Sequence, residues 1–161
     1  MSIELRSQGF LPGSRIPKLY TEGGKDVSPP LHWNDAPEET KEYALVCDDP
    51  DAPSAEPWVY WVLYNIPANV HELPEGLPDA AELESPSGAR QGRNSWKSGQ
   101  TVGYRGPAPP KGHGLHHYHF RLYALDAALK FDGKTPDRDA LLKAMKGHIL
   151  AEGELIGTYQ R

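Results

Sequence analysis

Apolar and polar positions alternate with a period of two over His116–Leu125. His116, Tyr118, Phe120, Leu122 and Ala124 share one side, and His117, His119, Arg121 and Tyr123 the other. That period predicts a β-strand. Two shorter apolar runs, Tyr43–Asp48 and Trp58–Ile66 (WVYWVLYNI), are rich in β-branched and aromatic residues and predict two more strands. Weaker strand candidates are Ile3–Arg6, Val27–Trp33 and Leu155–Tyr159. One helix is predicted after Thr135, which can cap it, with Pro136 in the first helical position. Asp137 and Asp139 suit its positive end, Lys143 and Lys146 its negative end. Leu141, Leu142 and Met145 form its apolar stripe, and Gly147 ends it. A short helical turn is expected before the final strand. The connection Pro67–Gln100, with LPEGLP and SPSG, is long enough that it must be functional or hold short strands of its own. These elements add up to a mainly antiparallel β protein with a late helix. No repeat or composition change divides residues 1–161, so a single domain is expected.

Composition sharpens this picture only in places. An apolar share of 38%, with four Trp, eight Tyr and three Phe, supplies a packed core. Sixteen Pro and sixteen Gly point to turns and ordered loops between strands. No window approaches the ~20 apolar residues of a membrane span. The start, MSIELRSQGF, lacks the apolar run of a secretory signal, and Cys47 is the single cysteine; a cytoplasmic location is expected. Cys47 itself lies in an apolar run and is expected to be a buried structural thiol. With 17 basic and 22 acidic residues the net charge is −5, which argues against nucleic acid as the main partner. Yet Pro86–Arg121 contains no acid and six cations, Arg90, Arg93, Lys97, Arg105, Lys111 and Arg121. Such a window predicts the lining of a site for something negatively charged.

Three constellations could carry chemistry. In Cys47-Asp-Asp-Pro-Asp-Ala-Pro53, three carboxylates within four residues cannot all be buried and ionised without partners. Asp49 and Asp51 share a strand parity and could enter one pocket, with Pro50 a candidate for a cis bond. An acidic, solvated turn is the plainer alternative. Trp58 and Tyr60, two apart, could wall a pocket or simply fill the core. His117 and His119 could bind a metal if a third ligand came from elsewhere, or be ordinary surface or core histidines. His116, on the opposite face with Tyr118, could hydrogen-bond an anion. No nucleophile elbow, Walker loop or dinucleotide fingerprint occurs, and Ser54 and Ser95 have no adjacent base.

DDPDAP (Asp48–Pro53), WVYWVLYNIP (Trp58–Pro67) and GPAPPKGHGLHHYHFRLYALD (Gly106–Asp126) together resemble the phosphatidylethanolamine-binding proteins, also called Raf kinase inhibitor proteins. RNSW (Arg93–Trp96) and the ending GHILAEGELIGTYQR look like the bacterial and archaeal branch. The resemblance implies an antiparallel Greek-key β-sandwich with peripheral helices. It also implies a surface pocket for phosphate, a phospholipid head group or a similar small anion, with no cofactor. The matching pocket positions are Asp49, Asp51, Trp58, Gly106, Pro109, Pro110, His116 and Tyr118, with Tyr60 where most members carry a histidine. His117 stands where an arginine is usual. The function expected is non-enzymatic ligand binding, with modulation of a partner protein. Inhibition of a kinase or serine protease, or a metal-dependent enzyme built on His117 and His119, are the alternatives. A homodimer is within expectation for this branch.

Overall fold

The computed structural model describes residues 2–52 and 57–161, so Pro53 and Ser54 lie outside the described residues. Strands β1 (Glu4–Arg6), β2 (Leu31–Asn34), β3 (Glu42–Asp49), β4 (Trp58–Pro67), β5 (Glu72–Leu73), β6 (Arg90–Gln91), β7 (His116–Leu125) and β8 (Ile149–Tyr159) form two antiparallel sheets. The smaller has the order β1-β2-β5, the larger β6-β4-β3-β7-β8. Leu5, Leu31, Trp33 and Leu73 of the small sheet pack against Leu45, Leu63, Phe120, Leu122 and Leu155 of the large one. The opposite face of the large sheet is covered by α1 (Arg138–Met145), where Val46, Val62, Tyr64 and Tyr123 meet Leu141 and Met145. Coverage on both faces explains why β3 and β4 read as continuous apolar runs rather than as alternating ones. Leu141 and Met145 are fully buried. Each stabilises the helix-on-sheet contact by about 1.5–3 kcal/mol. No helix of the described residues is long and apolar enough to cross a membrane.

Several expectations shift by a few residues. The helix is capped by Asp137, whose Oδ1 accepts from the Ala140 N–H at 2.9 Å, and not by Thr135. The better cap wins, since a carboxylate at a helix start gains from both the hydrogen bond and the dipole. The connection Pro67–Gln100 does hold short strands, β5 and β6. The helical turn expected before the final strand is absent, because β8 already starts at Ile149. Its buried positions include Gly153 and Gly157, which carry no apolar signal. Both are glycines for steric reasons. A Cβ on Gly153 would lie 2.5 Å from the Ile3 carbonyl oxygen, and one on Gly157 2.5 Å from Ile16 Cγ1. The amino-terminal segment thus lies directly on β8. Among the described residues the cis peptide bond is Ser85–Pro86, and Asp49–Pro50 is not cis.

Candidate functional site

The antiparallel register of β3 and β7 brings an acid and an imidazole together. Asp48 pairs with His119, so the next residue, Asp49, falls on the face of Tyr118 and His116. Asp49 Oδ2 lies 2.6 Å from His116 Nδ1, and Asp49 Oδ1 accepts the Asp51 N–H at 2.8 Å. The carboxylate is 0% exposed and the imidazole 3%. Burial of such a carboxylate is tolerable only with hydrogen-bond partners of this kind. The second nitrogen of the ring, Nε2, faces His113 Nδ1 at 2.6 Å.

Above this pair opens a cavity of about 290 Å³, walled by Trp58, Tyr60, Trp96, Pro109 and Pro110. Trp96 meets Trp58 and Tyr60 edge-on, each pair with ring centroids 5.4 Å apart. Behind Tyr60 stands Tyr118, centroids 5.1 Å apart. Burial and the Asp49 carboxylate push both phenols far above their ordinary range, Tyr60 most of all. Both are therefore neutral at physiological pH. The Arg105 guanidinium lies 4.4 Å from the centre of the Trp96 ring, a cation–π contact that steadies this wall.

The Gly106–Pro110 wall is held from below by the amino-terminal segment. Asp26 accepts the Gly106 N–H at 2.6 Å, and the Glu22 N–H donates to the Pro107 carbonyl at 3.1 Å. Tyr104 donates to the Tyr20 carbonyl at 2.7 Å. Gly106 passes so close to that carbonyl that a side chain would overlap it. Burial raises the Asp26 carboxyl above its ordinary value, partly offset by the Gly106 N–H.

Of the positions singled out in the sequence, Asp49, Trp58, Tyr60, Pro109, Pro110 and His116 line the cavity. Three do not. Asp51 sits past the end of β3, where Pro50 breaks the strand parity, and its exposed carboxylate bonds His117 Nδ1 at 2.9 Å and the His117 N–H at 3.1 Å. That imidazole lowers the Asp51 carboxyl below its ordinary value. Gly106 anchors the wall without facing the cavity, and Tyr118 is buried behind Tyr60. The Tyr118 hydroxyl has no hydrogen-bond partner among the described residues.

The acidic turn also buries more charge than expected. Asp48 and Asp49 are both buried, because adjacent strand residues point to opposite faces and each finds its own partner. Asp48 takes Arg121 Nη1 and Arg138 Nε, both at 3.0 Å, which ties the start of α1 to the sheet. The acid-free window does not wholly surround the cavity either. Arg121 turns to Asp48 and Glu154 and Arg90 pairs with Glu82, whereas Arg105 lies against a cavity wall. His117 and His119 do share a face, but His117 is bound to Asp51 and His119 to Glu154, at 3.1 Å. No group of three metal-ligating side chains forms among the described residues. Sequence reasoning gave no role to Trp96 or His113. Neither lies in a periodic segment, and only the fold brings them to the cavity and its imidazole.

Fold and site together define a class: an antiparallel β-sandwich with a small cavity over a buried carboxylate–imidazole pair at the strand ends. The chain belongs to the phosphatidylethanolamine-binding protein family, whose model matches residues 6–160. The UPF0098 protein of Methanothermobacter thermautotrophicus is 48% identical over 159 residues, 99% of each chain. Among solved structures, Escherichia coli YbcL, described as a member of the mammalian PEBP family, superposes with a TM-score of 0.90 at 29% identity, covering 100% of this chain and 99% of that one. A putative PEBP homologue from Chlamydia trachomatis gives a TM-score of 0.85 at 38% identity, over 99% and 98%.

Proposed function

We propose that this protein is a non-enzymatic binding protein that holds a small phosphorylated or similarly anionic head group in the Asp49–His116 pocket. The supporting observation is the buried acid–imidazole pair at the base of a preformed cavity. At about 290 Å³ that cavity suits a head group better than a whole lipid. Its described lining offers a carboxylate, an imidazole, a neutral phenol, indoles and prolines, but no serine or cysteine nucleophile. Ser95, the nearest candidate in sequence, spends its Oγ accepting the Val59 N–H at 2.7 Å.

An anion beside Asp49 meets a charge problem. Two like unit charges 4 Å apart repel by about 4 kcal/mol at an effective dielectric of 20. Binding therefore requires a proton, either shared between Asp49 and the anion or carried by His116. The test is calorimetric titration with inorganic phosphate and, separately, phosphorylethanolamine between pH 5 and 8. Affinity is expected to rise as pH falls and to vanish in His116→Ala. A preference for phosphorylethanolamine would point to a lipid head group as the source, and equal affinities to free phosphate. Affinity that does not vary with pH rejects the proton requirement, and no binding of either probe rejects the role. Inhibition of a kinase or protease would use the rim of the same pocket, where Pro110 is exposed. A captured partner released by excess phosphate would support that extension.

A further inference from the structure

We infer that His113 is an internal occupant of the pocket imidazole, so that a ligand reaches a ring nitrogen of His116 only by displacing it. This rests on the binding role proposed above and adds a residue that sets its affinity. An imidazole has two nitrogens, and in His116 both are taken, Nδ1 by Asp49 and Nε2 by His113, each at 2.6 Å. At that separation one hydrogen, and no more, fits between His116 Nε2 and His113 Nδ1. If His113 carries it, Nε2 is an acceptor and offers an anion nothing. If His116 carries it, the N–H is already donating. In both arrangements an incoming oxyanion must take the place of the His113 ring.

The two partners of His116 differ in their freedom to leave. Asp49 is fully buried at the end of a central strand. His113 is exposed, on a loop between Gly112 (φ 77°) and Gly114 (φ 100°), both in the left-handed region where glycine is favoured. The rings of His113 and His116 are tilted by 43° with centroids 4.8 Å apart, so they are not locked in a stack. The loop is pinned through its backbone instead, by the His113 N–H on the Pro110 carbonyl and the Gly112 N–H on the Arg161 carbonyl, both at 3.1 Å. The side chain can therefore swing out while the turn stays in place. Water replaces the lost contact on an exposed imidazole, so its displacement weakens a ligand by only the net worth of one hydrogen bond, roughly 2- to 12-fold.

The experiment compares the wild-type chain, His113→Ala and His116→Ala by titration with inorganic phosphate at one fixed pH, alongside ¹⁵N spectra of the imidazole nitrogens. His113→Ala is expected to bind roughly 3- to 10-fold more tightly than wild type, and His116→Ala to lose binding. In the wild-type protein phosphate should move the His113 ring signals to those of a free imidazole. Unchanged or weaker binding by His113→Ala, with the wild type still binding, overturns the competition alone. So do His113 signals that ignore bound phosphate. If no variant and no wild-type protein binds phosphate, the competition falls; if phosphorylethanolamine fails to bind as well, the pocket's proposed role falls with it.

Discussion

Replacing His116 by alanine should cost stability as well as ligand binding, and the size follows from the geometry. Asp49 is 0% exposed and keeps two donors, the His116 ring and the Asp51 N–H. Removing the imidazole leaves one buried carboxylate oxygen without its hydrogen-bond donor. Breaking a buried pair in this way costs about 3–5 kcal/mol. The lower end applies here, because the space vacated by the ring joins the pocket and admits water. A loss of about 3 kcal/mol corresponds to a melting point lower by about 6–12 °C in a chain of this length. Asp49→Ala should cost less, about 1–3 kcal/mol, since it strands the His116 Nδ1–H and Asp51 N–H donors rather than a carboxylate. The double variant removes both halves and should be more stable than the sum of the single losses predicts, by about 0.5–3 kcal/mol. Urea unfolding of the four proteins at pH 7, followed by tryptophan fluorescence, measures the cycle. Strict additivity, or a His116→Ala protein within 1 kcal/mol of wild type (about one-third of the predicted loss), would refute the idea that the two side chains form a buried unit.

Two further outcomes are expected. Gly153→Ala and Gly157→Ala should each destabilise by about 1–3 kcal/mol in thermal melts, the first more, because its Cβ meets the Ile3 backbone rather than a side chain that can turn; an unchanged midpoint for Gly153→Ala would contradict the close approach to β8. Asp26→Asn keeps an oxygen for the Gly106 N–H and removes a charge that burial disfavours. Because the folded Asp26 value lies above that of an unfolded carboxyl, about 3.9, the native state holds the extra proton between the two, and wild-type stability falls as pH rises through that window. The variant's urea midpoint should therefore gain on wild type from about pH 4 upward and then level off; a gap that narrows over that range would show the wrong sign.

The long strands were legible because their side chains report their surroundings. The alternation of β7 matches its buried and more open faces from His116 to Leu122, and the apolar runs of β3 and β4 reflect cover on both sides. Legibility failed where a residue's role depends on something distant in sequence. Gly153 and Gly157 look like strand breakers until the amino-terminal segment is laid across them. Asp51 shares a parity with Asp49 on paper, yet the strand has ended before it. Arg121 counted toward a basic lining, although its strand face turns it to Asp48. Loops have no period to read, so nothing in the sequence distinguished His113 from the other histidines of its cluster or lifted Trp96 out of RNSW.

The wall from Gly106 to Pro110 has a consequence for how the molecule folds and opens. Its ties, Gly106 to Asp26 and the adjoining Tyr104 to Tyr20, join residues 80 and 84 apart in sequence, whereas β7 and β8 are linked through residues 126–148. Contacts that span so much chain form late, so the cavity comes into being only once the first thirty or so residues have docked. Fraying of that segment would spill whatever the pocket contains. By the same linkage, an occupant clamps the segment down, and protection of its amide hydrogens from exchange should climb with ligand concentration.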